Sequence, residues 1–161
     1  MDKRDEPGLT SYRLLIKAYL AELENNKELA LNLYQMILED GTGPLKEALL
    51  RILHLEYKNQ DSSLGHLALK CLTQLDPRYL AFYAESNRLK GNNVEAINNY
   101  VSYLAIFPED WQSSLKLAEL FYQQKIYEGV EILVNQVLEK YPEQKSALEL
   151  RRKLNDAIAA K

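Results

Sequence analysis

The sequence is poor in the residues that carry catalytic or metal chemistry. Of its 161 residues, one is cysteine and two are histidine, which excludes an internal disulfide framework and a multi-cysteine metal site. Cys71 reads as core packing in a reducing compartment. His54 and His66 fall on different predicted helices and, with Cys71, form no local metal-ligand motif. There is no glycine-rich phosphate loop, no His-Glu-x-x-His and no nucleophile elbow, and Gly41-Thr42-Gly43-Pro44 reads as a helix stop followed by a turn. No cofactor, no metal and no enzymatic activity are therefore expected. Charge of one sign is missing too: 20 Lys and Arg stand against 23 Asp and Glu, for a net charge of −3, and the signs are intermixed. That leaves no footprint for a phosphate backbone or an anionic membrane, so nucleic acid is not an expected partner.

Long apolar runs are absent as well. The most apolar stretches, Tyr12 to Leu23 and Ala48 to Leu55, are broken by Arg13, Lys17, Glu22, Arg51 and His54, and none reaches eighteen uncharged residues. The opening residues, Met1 to Gly8, are polar and mixed in charge, without the apolar core of a signal peptide. No direct membrane insertion and a cytoplasmic location are expected. What is present is an ordinary globular composition, 47% hydrophobic and 27% charged, at a length that fits one domain.

Apolar residues recur at helical spacing almost throughout. Tyr12, Leu15, Ile16, Tyr19, Leu20 and Leu23 form one stripe, and Leu29, Leu33, Tyr34, Ile37 and Leu38 the next. No two-residue alternation competes. Helix stops are marked by Gly41 to Pro44, Asp76-Pro77, Phe107-Pro108 and Tyr141-Pro142. Tight polar turns fall at Glu24 to Lys27, Lys58 to Ser63, Lys90 to Asn93 and Gln123 to Lys125. The punctuation predicts four antiparallel helix pairs, at about residues 11–45, 46–76, 77–110 and 111–144. A final helix over 144–160 carries Ala147, Leu150 and Leu154 on one side and Arg151, Arg152 and Lys153 on the other. It reads as a polar-backed cap, because the last pair would otherwise expose the apolar stripe meant for a successor. Residues 1–11 read as a flexible arm and 12–160 as one domain.

Ala30, Gly65, Ala96 and Val130 recur about every thirty-four residues, each followed four residues later by Tyr34, Leu69, Tyr100 and Val134. In residues 77–110, Leu80, Ala84, Gly91, Ala96, Tyr100, Tyr103 and Pro108 keep a spacing that Leu117, Ala118, Phe121, Tyr127, Val137 and Pro142 repeat. On these residues the chain resembles the tetratricopeptide repeat superfamily. The first two units are degenerate: Thr42 stands where proline would close the repeat, Glu56 replaces an aromatic, and Gly65 replaces the packing alanine. The resemblance implies an all-α, right-handed superhelical solenoid and a non-catalytic interaction module, a scaffold or adaptor, with a protein partner.

In this superfamily the first helix of each pair lines a concave face. The matching positions include Tyr19; Leu50, His54 and Tyr57; Arg78, Glu85 and Arg88; and Leu115, Glu119 and Tyr122. Leu15, Leu50, Ala81 and Leu115 occupy the row where some relatives carry lysines for a peptide carboxylate, so that clamp is not expected. An apolar or amphipathic peptide segment with some positive charge suits the groove better. Tyr19 and Tyr57 can equally be groove anchors or core fillers, and Glu85 with Arg88 an i,i+3 pair with no ligand role. Three alternatives stand beside the module reading. One is a chaperone of this repeat type for a secreted or assembly client. Another is an RNA-binding helical repeat, which would need a basic inner face. The third follows from Gly91 to Ile97, Tyr103-Leu104 and Leu117 to Leu120. These are similar to the middle of the tetratricopeptide subunit of the endoplasmic-reticulum membrane protein complex, implying a membrane-protein insertion assembly.

Overall fold

A computed structural model describes residues 9–56 and 62–160. Among these, helices account for the regular structure and no strand occurs: α1 (Leu9–Leu23), α2 (Lys27–Asp40), α3 (Leu45–Glu56), α4 (Ser63–Leu75), α5 (Leu80–Leu89), α6 (Asn93–Ile106), α7 (Trp111–Gln123), α8 (Tyr127–Lys140) and α9 (Lys145–Ala159). A 3₁₀ turn, Pro77–Tyr79, precedes α5. Helices pack chiefly on their neighbours in the chain, which is the hairpin order predicted from the turns. Where the sequence reads as one continuous domain, the contacts gather into two compact units, the first ending at Tyr79 and the second starting at Leu80. The first helix starts at Leu9, inside the segment expected to be an arm, and Ser11 is buried with its hydroxyl on the Asp40 carboxylate.

Three of the hairpins turn in the same way. At the end of α1 the N–H of Asn26 donates to the Ala21 carbonyl and that of Asn25 to Glu22. Asn92 and Gly91 repeat this with Asn87 and Arg88, as do Ile126 and Lys125 with Phe121 and Tyr122. The pivot residue is left-handed each time, with φ of 57° at Asn25, 78° at Gly91 and 60° at Lys125. Only Gly91 adopts this without a Cβ penalty. Two bonds back into the helix satisfy carbonyls that a helix end would leave open, and they set the antiparallel return.

In the first unit Ala18, Ala21, Ala30, Tyr34, Ile37, Ala48, Ile52 and Leu72 share one core, with Cys71 packed half-buried against it. The second unit holds two clusters, one around Ala84, Ala96, Tyr100 and Leu120 and the other around Ala118, Val130, Val134, Leu150 and Leu154. Small residues at the crossings let the helix axes approach, and the large ones four residues on fill the space beside them. The degenerate position Gly65 has a local cause: a Cβ there would lie 3.2 Å from the Cβ of Glu56. Glu56 is itself buried and paired with Lys27 at 2.8 Å. A side chain at 65 would oblige its neighbours Glu56 and Ser62 to yield by a few tenths of an ångström, which glycine avoids.

Candidate functional site

In the first unit, carboxylates of the first helices are taken up by the fold. Glu22 accepts the hydroxyl of the fully buried Tyr34 and both arms of the Arg51 guanidinium, with Nε at 3.0 Å. Burial raises the pKa of Glu22, but the hydrogen bonds from Arg51 and Tyr34 outweigh it and hold the carboxyl below its ordinary value. Tyr19 donates to Glu47 Oε1 at 2.6 Å, meets Tyr34 edge-on at 6.3 Å between ring centres, and carries Arg51 5.6 Å from its ring centre. Its hydroxyl titrates above the ordinary value, first because of that bond to Glu47 and then because of burial. One face of Tyr19 is therefore committed to packing. Leu50 is half-buried against the core, and His54 is exposed in the last turn of α3. Tyr57 lies outside the described residues. Arg78 stands in the 3₁₀ turn rather than on a long inner helix, fully engaged with Asp76 through an ion pair of 2.6 Å. Side-chain and backbone hydrogen bonds from Arg78 lower the Asp76 carboxyl to about 2.

The second unit contains a similar cluster. Glu85 accepts two hydrogen bonds from Arg88, at 2.8 and 2.7 Å, and one from the buried Tyr100 hydroxyl at 2.9 Å, with Lys116 at 3.5 Å. The Arg88 bonds, opposed by burial, bring Glu85 down to about 2. The i,i+3 pair predicted from spacing is present, but it clamps a core tyrosine and so has a structural task. Leu115 does not line a surface: at 6% exposure it packs within the α7–α8–α9 core. The reason is that the α7 face contains two adjacent apolar rows, and the row holding Leu115 and Ala118 is the one α8 and α9 cover.

Glu119 and Tyr122 do come together. With Gln123 of α7 and Ser146, Glu149, Leu150 and Lys153 of α9, they line an open cleft of about 630 Å³. Tyr122 is half-buried, its ring centre 5.9 Å from that of Tyr127, with its hydroxyl 3.4 Å from the Lys153 carbonyl oxygen. Glu119 is exposed, and Glu149 is paired with Lys153 at 2.9 Å. Sequence reasoning treated α9 as a cap alone and so missed that it supplies a wall. The available signal was Ser146, Glu149 and Lys153 at i, i+3 and i+7, a polar row beside the buried Ala147, Leu150 and Leu154. Among the described residues no group of three His, Cys, Asp or Glu is placed to hold a metal, and no helix is long and apolar enough to cross a membrane.

Hairpins with a small-then-large crossing, a left-handed pivot and a proline or glycine stop define an all-α helical-repeat protein. The comparisons specify the repeat. A crystal structure of a tetratricopeptide repeat protein from Parabacteroides merdae superposes with a TM-score of 0.71 at 16% identity, covering 91% of this chain and 59% of that one. The MamA protein superposes with a TM-score of 0.66 at 14% identity, covering 93% of this chain and 87% of that one. The fold is thus of the tetratricopeptide type, and the chain spans about three-fifths of the length of the first of these structures. No model of a known protein family and no curated protein matches the sequence.

Proposed function

We propose that the chain is a non-catalytic protein-interaction module, a scaffold or adaptor, that holds an amphipathic peptide segment with some positive charge along the first-helix side of its second unit. The observation that carries this reading is the α7–α9 cleft, where the half-buried Tyr122 ring lies beside the exposed Glu119 carboxylate. An aromatic wall next to an acid suits a ligand that presents an apolar side chain and, one turn away, a lysine or arginine. Of the other acids in the first-helix rows, Glu22 and Glu85 are spent on arginines and core tyrosines and Glu47 on the Tyr19 hydroxyl, so Glu119 is the carboxylate offered to a ligand in this region. The cluster around Glu85 serves as the rigid floor that fixes α5 against α6 and α7.

The test uses labelled amphipathic peptides of matched apolar content bearing either lysines or glutamates. Fluorescence anisotropy is expected to give tighter binding of the basic series, lowered about tenfold or more by Tyr122→Ala and reversed in charge preference by Glu119→Lys. Equal binding of both series by the wild type, or no change in either variant, removes this cleft as the site.

A further inference from the structure

We infer that the loop edge of the second unit is a separate binding site for a proline-rich segment in the polyproline II conformation, with a basic residue at one end. Its lining shares no residue with the α7–α9 cleft. Trp111 opens α7 and Tyr141 follows α8, their ring centres 6.0 Å apart and the rings inclined at 54°. The pair borders two hollows. The larger, about 520 Å³, is lined by Trp111 and by Lys140, Tyr141, Pro142, Glu143 and Gln144. The smaller, about 40 Å³, lies toward Pro108, Glu109 and Gln136. Both rings are held in place by the fold. Trp111 packs half-buried on the α7–α8–α9 core, and Asp110 pins the loop before it by accepting the hydroxyls of Tyr103 at 3.0 Å and Ser113 at 2.9 Å. An aromatic ridge that is already ordered spares a ligand that part of the ordering cost.

The hydrogen-bonding groups on this edge select the occupant. The N–H groups of Trp111, Tyr141 and Gln144 are spent on the carbonyls of Glu109, Val137 and Tyr141, so main-chain pairing with an added strand is closed off there. Side chains remain. Among the described residues neither the indole N–H of Trp111 nor the hydroxyl of Tyr141 has a hydrogen-bond partner. A helical ligand cannot serve these donors, because its carbonyls are bonded internally. A polyproline II segment has no internal hydrogen bonds and keeps its carbonyls free to accept from both. Its side chains return to one face every third residue, about 9 Å along the axis, so prolines at i and i+3 can enter the hollows on either side of the ridge. Of the charged residues lining the hollows, Lys140 is paired with Glu109, and the uncompensated charge is the exposed Glu143 carboxylate. An arginine or lysine flanking the prolines answers it.

Trp111 is the one tryptophan of the chain, so its fluorescence reports on this edge directly. The full chain is titrated, up to about 1 mM, with a peptide of two Pro-x-x-Pro turns ending in arginine. A saturable shift of the Trp111 emission is expected, with binding about tenfold or more weaker when the prolines are replaced by alanine or the arginine by glutamate. Tyr141→Ala should weaken binding about tenfold or more, and Glu143→Lys should reverse the preference between the arginine and glutamate peptides. Circular dichroism checks that both variants fold, and Glu143→Lys decides alone if Tyr141→Ala loses helix. The amphipathic peptides aimed at the α7–α9 cleft should neither shift the emission nor compete, so failure of that cleft and failure of this edge are read separately. An unshifted emission with no heat of binding, equal affinity for the proline and alanine peptides or for the two end charges, binding indifferent to Glu143→Lys, or displacement by the amphipathic peptides overturns the inference.

Discussion

The two units face the same problem and answer it with different parts. In each, the second helix of the first hairpin buries a tyrosine completely, Tyr34 or Tyr100, and its hydroxyl must find an acceptor in the core. Each unit supplies a glutamate from the first helix and a cation to hold it ionised. In the first unit the cation is Arg51 of α3, so the cluster ties one hairpin to the next. In the second the chief cation is Arg88, one turn from Glu85 on α5, with Lys116 of α7 more distant. The acid is also displaced: it lies twelve residues before the tyrosine in the first unit and fifteen in the second. A repeated need for a paired phenol thus fixes the chemistry but leaves the position of each partner free by a helical turn.

The largest expected effect comes from emptying either site. Tyr34→Ala and Tyr100→Ala should each cost about 3–5 kcal/mol, through the cavity and the stranded glutamate together, measured by urea unfolding. If the clusters differ as described, Tyr34→Ala also loosens α3, which hydrogen exchange of the Ala48–Ile52 amides would register. Tyr100→Ala should leave those amides protected. A uniform response of the whole chain to both would erase the distinction.

Acid should sharpen the contrast. Glu85 is held at about 2, well below its ordinary 4.5. A carboxylate whose pKa is lower in the folded than in the unfolded state adds stability above pH 4.5, and this is lost as pH falls from there toward 2. Arg88→Gln should shift that loss upward in pH, and a titration of unfolding midpoints between pH 2 and 6 checks it. Glu22 is also lowered, with burial opposing Arg51 and Tyr34, so Arg51→Gln should raise the pH at which the first unit loosens.

Smaller effects probe the crossings. A Cβ at Gly129 would lie 2.6 Å from the Phe121 ring, so Gly129→Ala should destabilise by about 1–3 kcal/mol despite its better helix propensity. At the pivots, Lys125→Gly should stabilise by about 0.5–1 kcal/mol by relieving a left-handed residue, whereas Gly91→Ala should lose about 1 kcal/mol or more. Differential scanning calorimetry resolves both signs.

The repeat frame was readable because its markers are local. Glycine and proline stops, polar turns and the small-then-large pairs depend on the residues themselves, and the helix ends at Asp40, Leu75, Ile106 and Lys140 fall at those marks. The candidate surface was readable only in part. Periodicity shows that α7 carries apolar rows but not which row the next hairpin covers, hence Leu115 in the core and Tyr122 in a cleft. Pro77 marks a helix start in the sequence and so predicts Arg78 on an inner helix; the chain instead makes one 3₁₀ turn before α5 begins at Leu80. A helical projection puts Glu85 on the groove side because it cannot reveal the Tyr100 phenol arriving from a different helix.

The lone thiol gives a way to watch one half of the molecule without disturbing the other. Cys71 is unpaired and tucked against the Tyr34–Ile37–Ile52 core, with no counterpart beyond Tyr79. Alkylation by a reagent too large to reach it in the closed state would proceed only when that half breathes, so the labelling rate becomes a clock for its opening. Ligands or substitutions confined to the far half should leave the clock running at its original pace.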